Sequence, residues 1–209
     1  MEEYLVPSGE GIDEHTEKRS RFIGHIWRTD TEEEALAAIK ATRESMWDAR
    51  HHVYAYIIRG GAMRYSDDGE PQGTGGMPVL DVLRRQELQN VCCVVTRYFG
   101  GTLLGPGGLV RAYTAATQAA VAAAEAEGLM VTMTQVTRVT CVIPYSAYGR
   151  VERLVSDCSG KIRDSIFAED VQLTCAFLSG DEQRFVASMV ELMGGEDVCL
   201  VSEPTFSEF

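Results

Sequence analysis

The stretch RYFGGTLLGPGGLVRAY, Arg97–Tyr113, lies between an apolar, strand-like run and an alanine-rich run that favours helix. Five glycines fall within nine residues of it. Glycine accepts positive φ and lets another backbone or a ligand approach closely. A glycine-rich loop that leads into a helix also presents free N–H groups and the positive end of the helix dipole, which favours an anion. This order of elements predicts an α/β domain with a site at the crossover.

Two arginines flank the loop, Arg97 before it and Arg111 within the following helix. Their guanidinium groups are suited to phosphate or carboxylate. The loop has neither the Gly-Lys-Ser/Thr of a P-loop nor the spacing of the dinucleotide fingerprint. Two interpretations stay open: an anion or nucleic-acid site, or a tight crossover whose glycines serve packing. The candidate site comprises Arg97, Tyr98, Gly100, Gly101, Gly107, Gly108 and Arg111.

Length and composition exclude some classes of protein. The chain has 209 residues, enough for one large or two small domains, and 45% hydrophobic residues, enough for a core. The net charge of −12 argues against broad nucleic-acid binding, although a local basic patch could survive. The six cysteines form no C-x-x-C pair, which predicts reduced, buried thiols. Without an apolar run of about 20 residues or a visible secretory signal, we expect a cytoplasmic protein with no membrane contact.

The elements before the loop are predicted from their periodicity. Residues 20–28 alternate as a strand, and Thr31 with Glu34 forms a capping box for the next helix. A strand from about His52 carries apolar residues on both faces, as in a sheet covered on both sides. Residues 91–96 are wholly apolar and predict a central strand, and the helix after the loop is predicted over 109–127.

The segment SDDGEP, residues 66–71, holds three carboxylates within four residues, Asp67, Asp68 and Glu70. Asp-Gly and Glu-Pro are turn chemistry, so an exposed acidic turn is one interpretation. The other is a group that holds Mg²⁺ or orients an arginine. His51 precedes the neighbouring strand and is a candidate for the same site.

Two further groups of residues bear on the site. His51 and His52 are adjacent on a strand, so only one can face a given site. Lys18 and Arg21 form a supporting basic cluster at the start of the strand 20–28, unless they are simply a solvated strand end.

A second domain follows from residue 133 to 209. Strands are predicted over 135–143, 161–167, 171–178 and 198–201, with helices over 145–156 and 181–193. This βαββαβ order is the split βαβ, or ferredoxin-like, motif. We find no carboxylate–histidine pair, glycine loop or metal-ligand spacing in it, so we expect binding or scaffolding.

Four motifs in order resemble the YigZ/IMPACT family: SRFIG (20–24), DARHHVYAY (48–56), SDDGEPQGTGG (66–76) and RYFGGTLLGPGGLVRAY (97–113). The resemblance implies that residues 1–132 are similar to the second domain of ribosomal protein S-five. It implies that residues 133–209 are similar to the last domain of elongation factor G. Eukaryotic members are translation regulators that bind the activator of an amino-acid-sensing kinase. For bacterial members, nucleic-acid or ribosome binding is the usual inference.

The resemblance also indicates one composite site, in which Asp67 or Glu70 pairs with Arg97 or Arg111. Such a pair would be a structural latch as easily as a ligand site. One departure is Gly75, where we expect alanine; glycine can adopt any conformation that alanine adopts. The family's motif positions carried over to this chain are His51, Asp67, Asp68, Glu70, Pro71, Gly73, Arg97, Tyr98, Gly100, Gly101, Gly108 and Arg111.

The favoured hypothesis is a non-enzymatic protein without a cofactor that regulates translation. It would contact RNA, the ribosome or a protein of the translation or stress-response machinery through a cleft between the loop 97–111 and the turn 66–71. The alternative is a metal-assisted hydrolase of a phosphorylated small molecule or nucleotide. In it His51 is the base and the three carboxylates hold Mg²⁺. A third hypothesis is an interaction module that pairs an edge strand of the second domain with a partner or with itself.

Overall fold

The computed structural model describes residues 3–209. The chain forms two compact units, Tyr4–Val131 and Thr132–Phe209, each with its own sheet and helices. No helix among the described residues is long and apolar enough to cross a bilayer. All six cysteines are free, and five of them are buried.

The N-terminal unit holds six strands and three helices. The elements are β1 Tyr4–Pro7, β2 Gly11–Glu17, β3 Ser20–Arg28, α1 Glu32–Ser45, β4 His51–Ile57, β5 Met63–Ser66, α2 Gly76–Arg85, β6 Val91–Tyr98 and α3 Gly105–Ala126. Five of the strands form a sheet in the order β2-β3-β6-β4-β5 with antiparallel neighbours.

The central strand is β6, and it is covered on both faces as its unbroken apolar sequence predicts. Its odd-numbered residues, such as Cys93 and Val95, pack in the core that includes α2 and α3. Its even-numbered residues Cys92 and Val94 pack against α1, because successive strand residues point to opposite faces. Every β6 residue has therefore one of two environments, the α2/α3 face or the α1 face.

Helix α1 begins where the capping signal predicts. The backbone N–H of Glu34 donates to Thr31 Oγ1 at 3.2 Å, and Glu34 Oε2 accepts from the Asp30 N–H at 2.7 Å. The predicted cap at Thr31 is confirmed, with the returning bond displaced by one residue.

Helix α3 begins at Gly105, four residues earlier than predicted, so part of the glycine-rich stretch is its first turn. Pro106 suits this position because the first N–H groups of a helix have no intrahelical acceptor. The helix lies close against β3: a Cβ on Gly24 would come within 2.5 Å of the Ala116 carbonyl oxygen. The alanines of α3 permit this approach, as the sequence indicates.

The C-terminal unit contains the predicted βαββαβ order and a further short strand that the sequence did not predict. In its sheet β7 lies next to β9, which lies next to β8, and β10 and β11 both pair antiparallel with β7. Helices α4 and α5 supply Val151, Val155, Phe185 and Met189 to one core. The elements are β7 Met130–Ile143, α4 Tyr148–Asp157, β8 Lys161–Phe167, β9 Val171–Leu178, α5 Glu182–Leu192, β10 Cys199–Val201 and β11 Thr205–Glu208.

Candidate functional site

Three neighbouring strands place Phe22, Arg97 and His51 side by side. In the antiparallel register Arg97 on β6 lies opposite Phe22 on β3 and opposite His51 on β4. Opposed residues of antiparallel strands share a face. Arg97 has the parity of Cys93 and Val95, so all three lie on the α2/α3 face.

A buried ion pair lies at this position. Arg97 Nη1 donates to Glu70 Oε1 at 2.6 Å, and the two side chains are only 7% and 4% exposed. The Tyr113 hydroxyl, from α3, donates to the same oxygen at 2.8 Å. Burial first, and then the charge of Glu70, raises the pKa of Tyr113 far above its usual value, so the hydroxyl stays protonated and remains a donor. The turn, the central strand and α3 are thereby joined through one carboxylate.

Aromatic rings surround the guanidinium of Arg97. Its Cζ lies 5.4 Å from the Phe22 ring centroid and 5.6 Å from that of Phe99, within the range of a cation–π contact. Its Nε is buried and has no hydrogen-bond partner within the described chain. Arg97 is therefore held in place on one side by Glu70 and by ring contacts elsewhere.

Asp67 organises the second glycine-rich loop and does not face Arg97. Its Oδ1 accepts from the backbone N–H groups of Gly75 and Gly76, both at 2.9 Å, and its Oδ2 accepts from that of Gly73 at 2.8 Å. A carboxylate with three N–H donors is well satisfied. This side chain is a structural clamp for the segment that leads into α2.

Asp68 makes a third, separate set of contacts. Its carboxylate pairs with Arg43 of α1 and accepts from the His52 backbone N–H at 2.6 Å. Its carbonyl oxygen lies 2.8 Å from His51 Nδ1, which donates this bond because a carbonyl oxygen can only accept. The backbone of Asp68 has φ +44°, a conformation that aspartate tolerates better than most residues.

The three carboxylates of the turn thus diverge. Between residues 3 and 209, no group of three or more His, Cys, Asp or Glu side chains has a geometry that could hold a metal ion.

A cleft of about 390 Å³ opens beside the ion pair. Its polar side chains are Arg50, His51, Arg97 and Glu70, and the carboxylate of Glu70 is already paired. The remaining wall is apolar and belongs mainly to the stretch between β6 and α3, and it consists of Pro71, Phe99, Leu103, Leu104, Gly105, Pro106 and Leu109. The composition suits a ligand with a flat apolar body and an anionic or acceptor group.

The basic residues predicted at the start of β3 lie elsewhere. Arg21 and Tyr98 oppose each other in the register and occupy the α1 face, not the face of Arg97. Arg21 pairs with Glu14 at 2.8 Å and thereby lowers the pKa of that carboxyl, while the Tyr98 hydroxyl donates to Asp48 at 2.9 Å. Lys18 is exposed in the turn before β3.

The structure also separates Arg111 from Arg97. Arg111 is exposed on α3 and is not among the residues that line the cleft; a Cβ on Gly107 would lie 3.7 Å from its Nη1. Gly107 and Gly108 belong to the first turn of the helix.

Gly100 and Gly101 have different roles in the loop. A Cβ on Gly100 would lie 2.1 Å from the carbonyl carbon of Arg19, so this glycine is required for close packing. Gly101 has φ +82° and open space around it. The packing interpretation therefore applies at Gly100, while the anion-site interpretation stays a prediction.

Sequence reasoning did not single out Arg50, Phe99, Leu103 or Tyr113. Phe99 and Leu103 carry a signal in retrospect, since large apolar residues within a glycine-rich loop are expected to be exposed. Tyr113 also carries a signal, since it shares a helix face with the buried residues Leu109, Ala116 and Ala120.

The structure is that of a two-domain α/β protein with a small, mostly apolar cleft in its N-terminal unit. Residues 18–121 match the Impact N-terminal domain, and residues 141–196 match a domain of unknown function, DUF1949. The Bacillus subtilis protein IMPACT family member YvyE is 30% identical over 213 residues, covering 100% of this chain and 95% of that protein. The Escherichia coli IMPACT family member YigZ is 34% identical, covering 93% and 96%.

A crystal structure described as that of a hypothetical protein is 32% identical and superimposes with a TM-score of 0.61, covering 97% of this chain and 98% of that one. The chain belongs to the IMPACT family.

Proposed function

We propose that this protein is a non-catalytic binding protein that regulates translation in the cytoplasm by contacting RNA or the ribosome through the cleft. The family supports this proposal, because the resemblance implies that eukaryotic members regulate translation. The similarity of the two domains to ribosomal protein S-five and elongation factor G is part of the same proposal.

The observation that carries the proposal is the local character of the cleft. The whole chain has a net charge of −12, yet Glu70, the only carboxylate among the described residues that line the cleft, is neutralised by Arg97. Arg50 and the N-terminus of α3 are left as the positive contributions, next to the ring of Phe99. Aromatic platforms beside positive groups are how proteins bind unpaired nucleotides.

The contacts of the polar residues favour binding over hydrolysis. Asp67 and Asp68 are engaged with backbone N–H groups and Arg43, and Glu70 with Arg97 and Tyr113. A general base also needs a reacting group within hydrogen-bond reach. His51 Nδ1 is bonded to a backbone carbonyl, so only Nε2 remains for a ligand.

Ribosome co-sedimentation tests the proposal. We compare the wild type with Arg50→Ala/Phe99→Ala, both surface residues, and with the matched control Arg184→Ala/Phe167→Ala in the C-terminal unit. The wild type and the control are expected to pellet and the cleft variant to pellet less. Pelleting should weaken between low and moderate salt if phosphate contacts contribute. If the wild type pellets at neither salt concentration, ribosome binding is refuted.

A further inference from the structure

We infer that the cleft binds a single nucleoside monophosphate unit, with its base against Phe99 and its phosphate at the N-terminus of α3. This inference rests on the proposed function and names the chemistry of its ligand. The cleft volume of about 390 Å³ is near the lower end of ligand pockets, which run from about 300 to 1,000 Å³. One nucleotide fits such a volume, and a duplex does not.

The apolar part of the cleft provides the surface for a base. Phe99 is 49% exposed although it lines the cleft, and Leu103 at the same wall is 83% exposed. Large apolar side chains that are this exposed can bury apolar surface against a ligand. Stacking of a base on an aromatic ring contributes about 1–3 kcal/mol and does not depend on which base it is.

The polar part of the cleft selects an anion. Helix α3 has 22 residues, its N-cap is Leu104, and no side chain caps its free N–H groups. Gly105 and Pro106 of its first turn line the cleft. The helix end alone would be a weak argument, because every helix has one.

A second, independent observation is Arg97, which lines the same cleft. It is 6% exposed, and its Nε has no hydrogen-bond partner within residues 3–209. Arg50 at the cleft makes no ion pair in the described chain, and Glu70 is occupied by Arg97 and Tyr113. An anion therefore meets no uncompensated carboxylate here.

A nucleoside monophosphate unit can come from two sources, a free nucleotide or one nucleotide of a single-stranded RNA. The full-length protein is titrated with AMP, adenosine and inorganic phosphate by calorimetry. AMP should bind at least about tenfold more tightly than either fragment, since both parts of the cleft are used. An oligoadenylate of six residues then separates the sources: tighter binding than AMP indicates a strand, and equal or weaker binding a free nucleotide.

Variants locate the site. Phe99→Ala should weaken AMP binding by about 5- to 150-fold, which is the stacking contribution expressed as a ratio. Arg50→Ala should weaken AMP more than adenosine. The controls Phe167→Ala and Arg184→Ala should leave both unchanged. No AMP binding at millimolar concentration, or an affinity that Phe99→Ala leaves unchanged, would overturn the inference.

The outcome is separable from that of the proposed function. If the protein pellets with ribosomes but binds no AMP, the inference fails and the translation proposal stands. If AMP binds through Phe99 and the protein does not pellet, the inference stands and ribosome binding fails.

Discussion

Removing the charge of Glu70 should strongly destabilise the N-terminal unit. In Glu70→Gln an amide oxygen remains for the Tyr113 hydroxyl, but Arg97 is left as a buried cation without a counter-charge. Breaking a buried pair in this way costs about 3–5 kcal/mol. A typical domain has only about 5–15 kcal/mol of stability, so the loss is a large fraction of it. At roughly 4 °C per kcal/mol, the midpoint temperature of thermal unfolding should fall by about 10–20 °C.

Urea denaturation followed by tryptophan fluorescence measures the loss in the free energy of unfolding of the N-terminal unit. Both tryptophans, Trp27 and Trp47, lie within Tyr4–Val131, so the signal reports on that unit. The matched control is Glu14→Gln, which breaks the exposed pair with Arg21 and should cost less than about 1 kcal/mol. The reasoning is wrong if Glu70→Gln costs no more than this control.

The double variant Glu70→Gln/Arg97→Met is the second check. It removes the stranded charge as well as its partner, so no uncompensated charge stays buried. It should therefore be more stable than Glu70→Gln alone. A double variant less stable than the single one would show that Arg97 contributes through its ring contacts and not through the pair.

Three further predictions concern single positions. Gly100→Ala should destabilise the protein by more than about 1 kcal/mol in the same denaturation assay, because a Cβ at position 100 would meet backbone atoms. Gly107→Ala should be neutral or stabilising by up to about 1 kcal/mol, because a Cβ at position 107 meets no backbone. Equal effects of the two substitutions would contradict the packing role of Gly100. Asp67→Ala should cost about 2 kcal/mol or more and speed amide exchange of the glycine loop, because the part-buried N–H groups of Gly75 and Gly76 and the exposed N–H of Gly73 lose a charged acceptor. Unchanged exchange would contradict the clamp. His52 is buried, and desolvation is the main reason that its pKa is lowered. The unfolded chain therefore binds a proton at His52 more readily than the folded protein, and the free energy of unfolding should fall as the pH drops below about 6.5, the unfolded pKa. His52→Gln should reduce the loss of stability between pH 7 and pH 5, and a pH profile identical to that of the wild type would contradict the assignment.

Much of the fold could be predicted from local patterns. The apolar run of β6 predicts a strand covered on both faces, and the Thr31–Glu34 pair predicts the start of α1. The start of α3 could not be predicted in the same way, because Gly107 and Gly108 have low helix propensity. They are tolerated because they lie in the first turn, after Pro106, where packing and the loop fix the backbone.

The candidate site shows where sequence reasoning reaches its limit. Proximity of the acidic turn to Arg97 was predicted, and Glu70 supplies the contact. The divergence of Asp67 and Asp68 depends on side-chain bonds to backbone N–H groups, which no spacing rule specifies. The separation of Tyr98 from Arg97 does follow from strand alternation. The exposure of Arg111 follows from helical periodicity, because Arg111 lies off the buried face that Leu109, Tyr113 and Ala116 form.

Photocross-linking most directly tests the claim that the cleft contacts RNA. A diazirine side chain at Leu103, which is 83% exposed at the cleft, is compared with one at Leu200, which is 75% exposed in the C-terminal unit. With purified ribosomes, the account predicts RNA cross-links at position 103 that Phe99→Ala and Arg50→Ala reduce, and few at position 200. Cross-links at 200 and none at 103, from a protein that pellets with ribosomes, would contradict it.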